Sequence, residues 1–311
     1  MNKRMRALTF LLSFFIAPLI LSAAESIKGT WEAKYDSKKG ALQIQFKRNE
    51  NNNGFRVAIE DLQGLTKEMV LSKSRSVSFR LAREAGTLLC SGAFEDGFGY
   101  GKFEFQPHAA FLEKMKSLGY SDISTRKHYE LAILDVNTTF IKGLRELGYG
   151  NLTLNQLIEM KIHGATPDYI RELQATEYKN VSSSKLVEMR IHGVTPEFIT
   201  ELDKAGLTNL SVDKLVEFKI HGVSAKTIAE FKELGYDKLS SNKLVEFQIH
   251  NVSPLFIREL QQLGYKDVSP DDLVAMRIHG VSPSFIRRAQ ESRKSLPDVD
   301  ELISMRIHGR N

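Results

Sequence analysis

The sequence predicts an α+β protein, in which a small antiparallel β domain (barrel or sandwich) precedes an α-solenoid of seven 29-residue helical hairpins. Three observations predict it. Apolar residues alternate with polar ones through residues 25–106, the mark of half-buried strands. Residues 107–309 repeat a single pattern every 29 residues with no insertion or deletion, the mark of stacked supersecondary units. The change of period falls at Pro107 with no Gly/Ser linker, so the β domain is expected to pack on the first repeat and cap it.

The first residues form a separate element. Lys3, Arg4 and Arg6 precede an apolar run from Ala7 to Leu21, followed by Ser22, Ala23, Ala24 and Glu25. A positive start, an apolar stretch and small residues at a cleavage position are the pattern of a signal peptide over residues 1–24. The run is shorter than the ~20 residues a bilayer span needs, and Pro18 interrupts it, so no membrane span is expected after cleavage. The expected location is periplasmic or secreted. That segment holds three basic residues and no acidic ones, so its removal takes the formal net charge from +5 to +2. A nearly balanced chain lacks the basic footprint of phosphate-backbone binding, which argues against a nucleic-acid partner.

In residues 25–106, Trp31, Ala33 and Tyr35 alternate, then Leu42, Ile44 and Phe46, then Phe55, Val57 and Ile59, then Val77, Phe79 and Leu81. The stretch from Asn49 to Gly54 is expected to be a polar turn, and "REAG" and "EDGFGYG" punctuate later strands. About six strands result. Trp31 is expected in the core, with the mouth of a small barrel as an alternative place for a ligand. Cys90, the only cysteine, alternates with Leu88 and reads as a small buried hydrophobe rather than a nucleophile.

Each repeat holds two short helices. Thr195 is placed to cap the first, with Pro196 at its first position, Glu197 in its first turn and Gly206 as its terminator. Ser211 then caps the second, whose apolar residues are Leu215, Val216, Phe218 and Ile220 and whose stop is Gly222. Helices of about ten residues are marginal alone, so they depend on burial against neighbouring units.

Six histidines share one column: His163, His192, His221, His250, His279 and His308. The next position reads Gly164, Gly193, Gly222, Asn251, Gly280 and Gly309, all residues that enter the left-handed conformation readily. The imidazoles therefore read first as helix punctuation, able to cap free carbonyls or pair with a glutamate four residues earlier, as Glu188 with His192. A polar binding ladder is the second reading. A metal ladder of Glu159/His163, Glu188/His192, Glu217/His221 and Glu246/His250 is the weakest. The last two units hold Ala275 and Ser304 at the glutamate position, and stacked helices lie about 8–10 Å apart, too far for histidines to share one zinc. No metal and no cofactor is expected. Two residues before the histidines, Lys161, Arg190, Lys219, Arg277 and Arg306 form a basic stripe interrupted by Gln248, expected to be a solvated face or a surface for an acidic partner. Tyr120, Tyr149, Tyr178, Tyr236 and Tyr265 form another column, expected to pack between units.

The units that depart from the pattern are the first, with His128 in its second helix and then Leu134 and Asp135 in place of His-Gly, the fifth, with Ala225 and Thr227, and the last, with Arg293 and Lys294.

"REAGTLLCSGAFEDGFGYGKFEFQP" and the recurrent "LVEMRIHGVTPEFI" with "ELGY" carry a resemblance. The chain is similar to a group of bacterial secreted proteins and to the extracytoplasmic C-terminal region of beta-lactam-receptor-type membrane metallopeptidases. The zinc motif His-Glu-x-x-His of those peptidases does not occur here, so the resemblance implies a sensor-like or interaction module without hydrolytic residues. Repeated rather than convergent titratable groups also argue against an enzyme. The function expected is an exported, non-catalytic scaffold whose helical surface meets a protein, peptide or envelope partner. The alternative is a periplasmic protein that holds a small ligand or metal through the β domain or the histidine column.

Overall fold

A computed structural model of the chain describes residues 27–49, 51–291 and 296–309. Residues 1–24, where a signal peptide is expected, and Arg293 and Lys294 lie outside the described residues.

The protein is α+β. Its first part is one antiparallel sheet of seven strands: β1 (Ile27–Asp36), β2 (Ala41–Arg48), β3 (Asn51–Ala58), β4 (Leu62–Gln63), β5 (Arg75–Arg83), β6 (Gly86–Glu95) and β7 (Phe98–Pro107), in the order β3-β2-β1-β7-β6-β5-β4. A one-turn helix, α1 (Lys67–Val70), lies between β4 and β5. The sheet curls into a half-barrel, and the edge strands β3 and β4 are not bonded to each other. The sequence expectation of a closed barrel or a sandwich is corrected in this respect, because the pairing ends at two open edges.

Period two puts Trp31, Ile44, Phe46, Phe79, Leu81, Leu88, Phe94 and Phe103 on the buried face, all at most 2% exposed. Trp31 is at the centre. Its Nε1 donates to the Ser91 carbonyl at 3.2 Å, and its ring meets Phe79 edge-on at 5.0 Å and Phe94 at 5.5 Å. The ring lies so close to the backbone that a Cβ on Gly101 would sit 2.7 Å from Trp31 Nε1 and 2.0 Å from the Ser91 carbonyl oxygen, and only glycine fits. A Cβ on Gly99 would likewise meet the Phe94 ring at 2.5 Å, so these two glycines of "GFGYG" are packing residues of the strand, while Gly97, with φ of 85°, turns the chain before it. Asn52, Asn53 and Gly54 likewise belong to β3 and pair with β2, so the polar run from Asn49 is mostly strand and its turn is shorter than expected. Amides of asparagine tolerate a strand where neither face of that stretch is fully buried.

Two helices belong with the sheet: α2 (Ala109–Ser117) and α3 (Thr125–Ile133), the latter packed on β1, β6 and β7. Tyr129 stacks on Phe103, and His128 sits between Phe105 and Phe111. His128 is 2% exposed, and burial holds its basicity below the ordinary 6.5, so it is neutral. Cys90 is buried, and desolvation pushes its thiol up, which makes it inert. This compact unit ends at Ile133, and a second begins at Leu134.

The second unit is helical. One class of helix comprises α4 (Thr138–Glu146), α6 (Pro167–Gln174), α8 (Pro196–Lys204), α10 (Ala225–Glu233), α12 (Pro254–Gln262) and α14 (Pro283–Glu291). The other comprises α5 (Leu154–His163), α7 (Ser183–Ile191), α9 (Val212–His221), α11 (Ser241–Ile249), α13 (Pro270–Ile278) and α15 (Val299–Ile307). Each helix touches the next of its own class. The starts follow from side-chain caps: Thr195 accepts from the Phe198 N–H at 3.2 Å with Pro196 at the first position, and Ser211 accepts from the Lys214 N–H at 3.1 Å.

Candidate functional site

The second class of helix ends in the same way each time. Gly164, Gly193, Gly222, Asn251, Gly280 and Gly309 all have positive φ, and so does Asp135 of the first repeat, over a range of 53° to 74°. The left-handed residue lets the next N–H reach back five positions: Ala165, Val194, Val223, Val252 and Val281 donate to the carbonyls of Met160, Met189, Phe218, Phe247 and Met276 at 2.8–2.9 Å. Those donors carry buried side chains that pin the turn. The backbone geometry is thus the constant, held by glycine, asparagine or aspartate.

The histidines stand at this turn with their rings exposed or half-buried. Only His308 uses its ring as a cap among the described residues, Nδ1 lying 2.8 Å from the Ser304 carbonyl oxygen. Three of the four glutamates bind lysines instead of the imidazoles. Glu188 pairs with Lys185 at 2.7 Å and Glu246 with Lys243 at 2.5 Å, while Lys214 pairs with Glu217. A lysine three residues away offers a full charge on a long stem that reaches the carboxylate. The same lysines reach the next repeat, Lys185 to Asp213 and Lys243 to Asp271. Among the described residues no three His, Cys, Asp or Glu side chains are grouped to hold a metal ion.

The basic stripe folds onto aromatic rings. Lys161 lies over Phe140 at 5.2 Å, Arg190 over Tyr169 at 4.8 Å, Lys219 over Phe198 at 3.9 Å, Arg277 over Phe256 at 5.0 Å and Arg306 over Phe285 at 5.4 Å. Four of these cations also reach toward the helix terminus one repeat back, Arg190 beside Gly164 and Arg306 beside Gly280 among them. Arg277 Nε donates to the His250 carbonyl at 3.3 Å, and Lys161 pairs with Asp135 at 3.5 Å. A cation at that negative helix end, over a ring, joins two repeats. Thr227 and Gln248 replace both partners of the remaining pair, so the two departures noted in the sequence are one event.

The tyrosine column joins repeats too. Tyr149, Tyr236 and Tyr265 donate their hydroxyls to Val181, Val268 and Pro297 carbonyls at 2.6, 2.7 and 2.7 Å, each 32 residues onward. Burial pushes the Tyr236 hydroxyl up to about 12, so it remains a donor at any physiological pH.

One column was missed from the sequence. Ile162, Ile191, Ile220, Ile249, Ile278 and Ile307, each immediately before its histidine, are 51–57% exposed. Ile220 therefore does not share the burial of Leu215, Val216 and Phe218, which corrects its assignment to the apolar face. The isoleucines and the histidines form a row in the last turns of successive, touching helices. With the cations folded onto rings, this row is the repeated apolar feature open to solvent in the helical unit.

No family model and no curated protein matches this chain. No helix among the described residues is long and apolar enough to cross a membrane.

Proposed function

We propose that the protein is an exported, non-catalytic scaffold, in which seven 29-residue hairpins form an α-solenoid and present the isoleucine–histidine ridge to a polypeptide partner of the cell envelope. The observation that carries this reading is the register of the exposed isoleucines. Scattered exposed apolar residues are ordinary, whereas six at one position of consecutive repeats form a continuous apolar row with imidazole donors and acceptors beside it. An extended surface of this kind suits a long polypeptide partner better than a small molecule. Export rests on the N-terminal residues 1–24, and a sensor-like or interaction role is also what the resemblance to the metallopeptidase extracytoplasmic region implies.

The test is site-specific photocrosslinking in cells that produce the protein. A photoreactive residue at Ile191, Ile220 or Ile249 is expected to give one discrete polypeptide adduct. The same residue at Lys226, whose side chain is 87% exposed on α10, is expected to give none. Absence of adducts from all three ridge positions, or the same adduct from Lys226, overturns the reading.

A further inference from the structure

The unit that ends at Ile133 has a feature of its own, independent of the ridge. Arg48 and the asparagines Asn52 and Asn53, from β2 and β3, face Arg126, Tyr129 and Glu130 of α3 across a pocket of about 140 Å³. Every residue lining it brings a polar group. Glu130 is already held by Lys127 at 2.6 Å, whereas neither arginine has a carboxylate partner among the described residues. Tyr129 is 6% exposed, fixed by stacking on Phe103 and by an edge contact with Phe105. Its hydroxyl is buried with no hydrogen-bond partner among the described residues. Folded proteins rarely leave such a group unmatched. Arg48, which lines the same pocket, acts electrostatically on this hydroxyl.

The groups that converge are mostly donors. Guanidinium groups only donate, and burial pushes the Tyr129 hydroxyl up to about 12, so it too donates. Their complement is an acceptor with several lone pairs and negative charge. The volume admits one such group and excludes a nucleotide or a peptide.

We propose that this pocket binds a small oxyanion, the carboxylate or phosphate group of a ligand, through Arg48, Arg126 and the Tyr129 hydroxyl, with the two asparagine amides at the rim. Arginine forks match the geometry of both anions.

Isothermal titration of the full chain with sodium phosphate and, separately, sodium acetate, each at ionic strength held constant with sodium chloride, tests the proposal. Saturable binding of at least one anion is expected, and phosphate without acetate, or the reverse, tells which group the pocket takes. Tyr129→Phe removes one oxygen from a buried ring without disturbing its stacking, and Arg126→Gln alters an exposed side chain, so both variants keep the fold. Each is expected to weaken binding about tenfold, the loss of one hydrogen bond to a charged group. Saturable binding by neither anion, or an affinity unchanged in both variants, overturns the proposal.

Discussion

The sheet unit and the helical unit reach a packed interior by opposite routes. In the sheet unit each contact occurs once: Trp31 bridges to Ser91, sixty residues away, across the glycine-lined strand β7, and His128 fills a single gap between Phe105 and Phe111. In the helical unit a few contacts recur every 29 residues, namely the left-handed cap, the cation over a ring and the tyrosine hydroxyl to the next repeat. The difference teaches where a chain concentrates risk. A unique long-range contact supports everything that closes around it, whereas a recurrent one is shared among neighbours.

Three substitutions sharpen this contrast. Trp31→Ala removes the centre of the half-barrel and is expected to cost about 3–5 kcal/mol, read as a lower urea midpoint for the sheet unit. A cost under about 1 kcal/mol would show that the sheet does not depend on a single ring. Gly222→Ala forces a side chain into a residue with φ of 74° and is expected to cost about 1–2 kcal/mol. Asn251→Gly at the equivalent position is expected to leave the midpoint unchanged or raise it. If both changes are silent, the left-handed cap is not what ends these helices.

Acid should separate the units as well. Because His128 is held neutral in the fold below its ordinary 6.5, only the unfolded chain takes up a proton as the pH drops below that value. Its contribution is therefore complete above pH 6.5 and declines on acidification toward its lowered folded value. His128→Phe should flatten that part of the stability profile, and an unchanged profile would show that this buried imidazole does not set it. The smallest effect is expected from Thr227→Phe combined with Gln248→Lys, which rebuilds the missing cation–ring pair. A double-mutant cycle should give a favourable coupling of about 0.5–1 kcal/mol, and zero coupling would make the pairing incidental.

Much of this was legible in the residues. The 29-residue period, the caps at Thr195 and Ser211 and the left-handed column follow from local chemistry, and the structure places all of them as read. Asp135 shows that the rule extends to the first repeat, where the glycine is missing. The isoleucine column was not legible, because helical phase says which side of a helix a residue occupies and not whether anything covers that stretch. Val216 and Ile220 share a side, yet one is 4% exposed and the other 56%. The destination of the basic stripe could have been found, since Thr227 and Gln248 depart together at the spacing that separates every other ring from its cation. The pocket around Tyr129 depends on β2, β3 and α3 meeting in space, which no local pattern encodes.

The most direct test of the division between packing columns and a free ridge is the denaturation midpoint of the triple variant Ile191→Ser, Ile220→Ser, Ile249→Ser. Surface substitutions stay within about 0.5 kcal/mol each, so the variant should unfold close to the parent and keep its cooperativity. A loss of several kcal/mol would place these isoleucines in the core and leave the helical unit without its proposed binding surface.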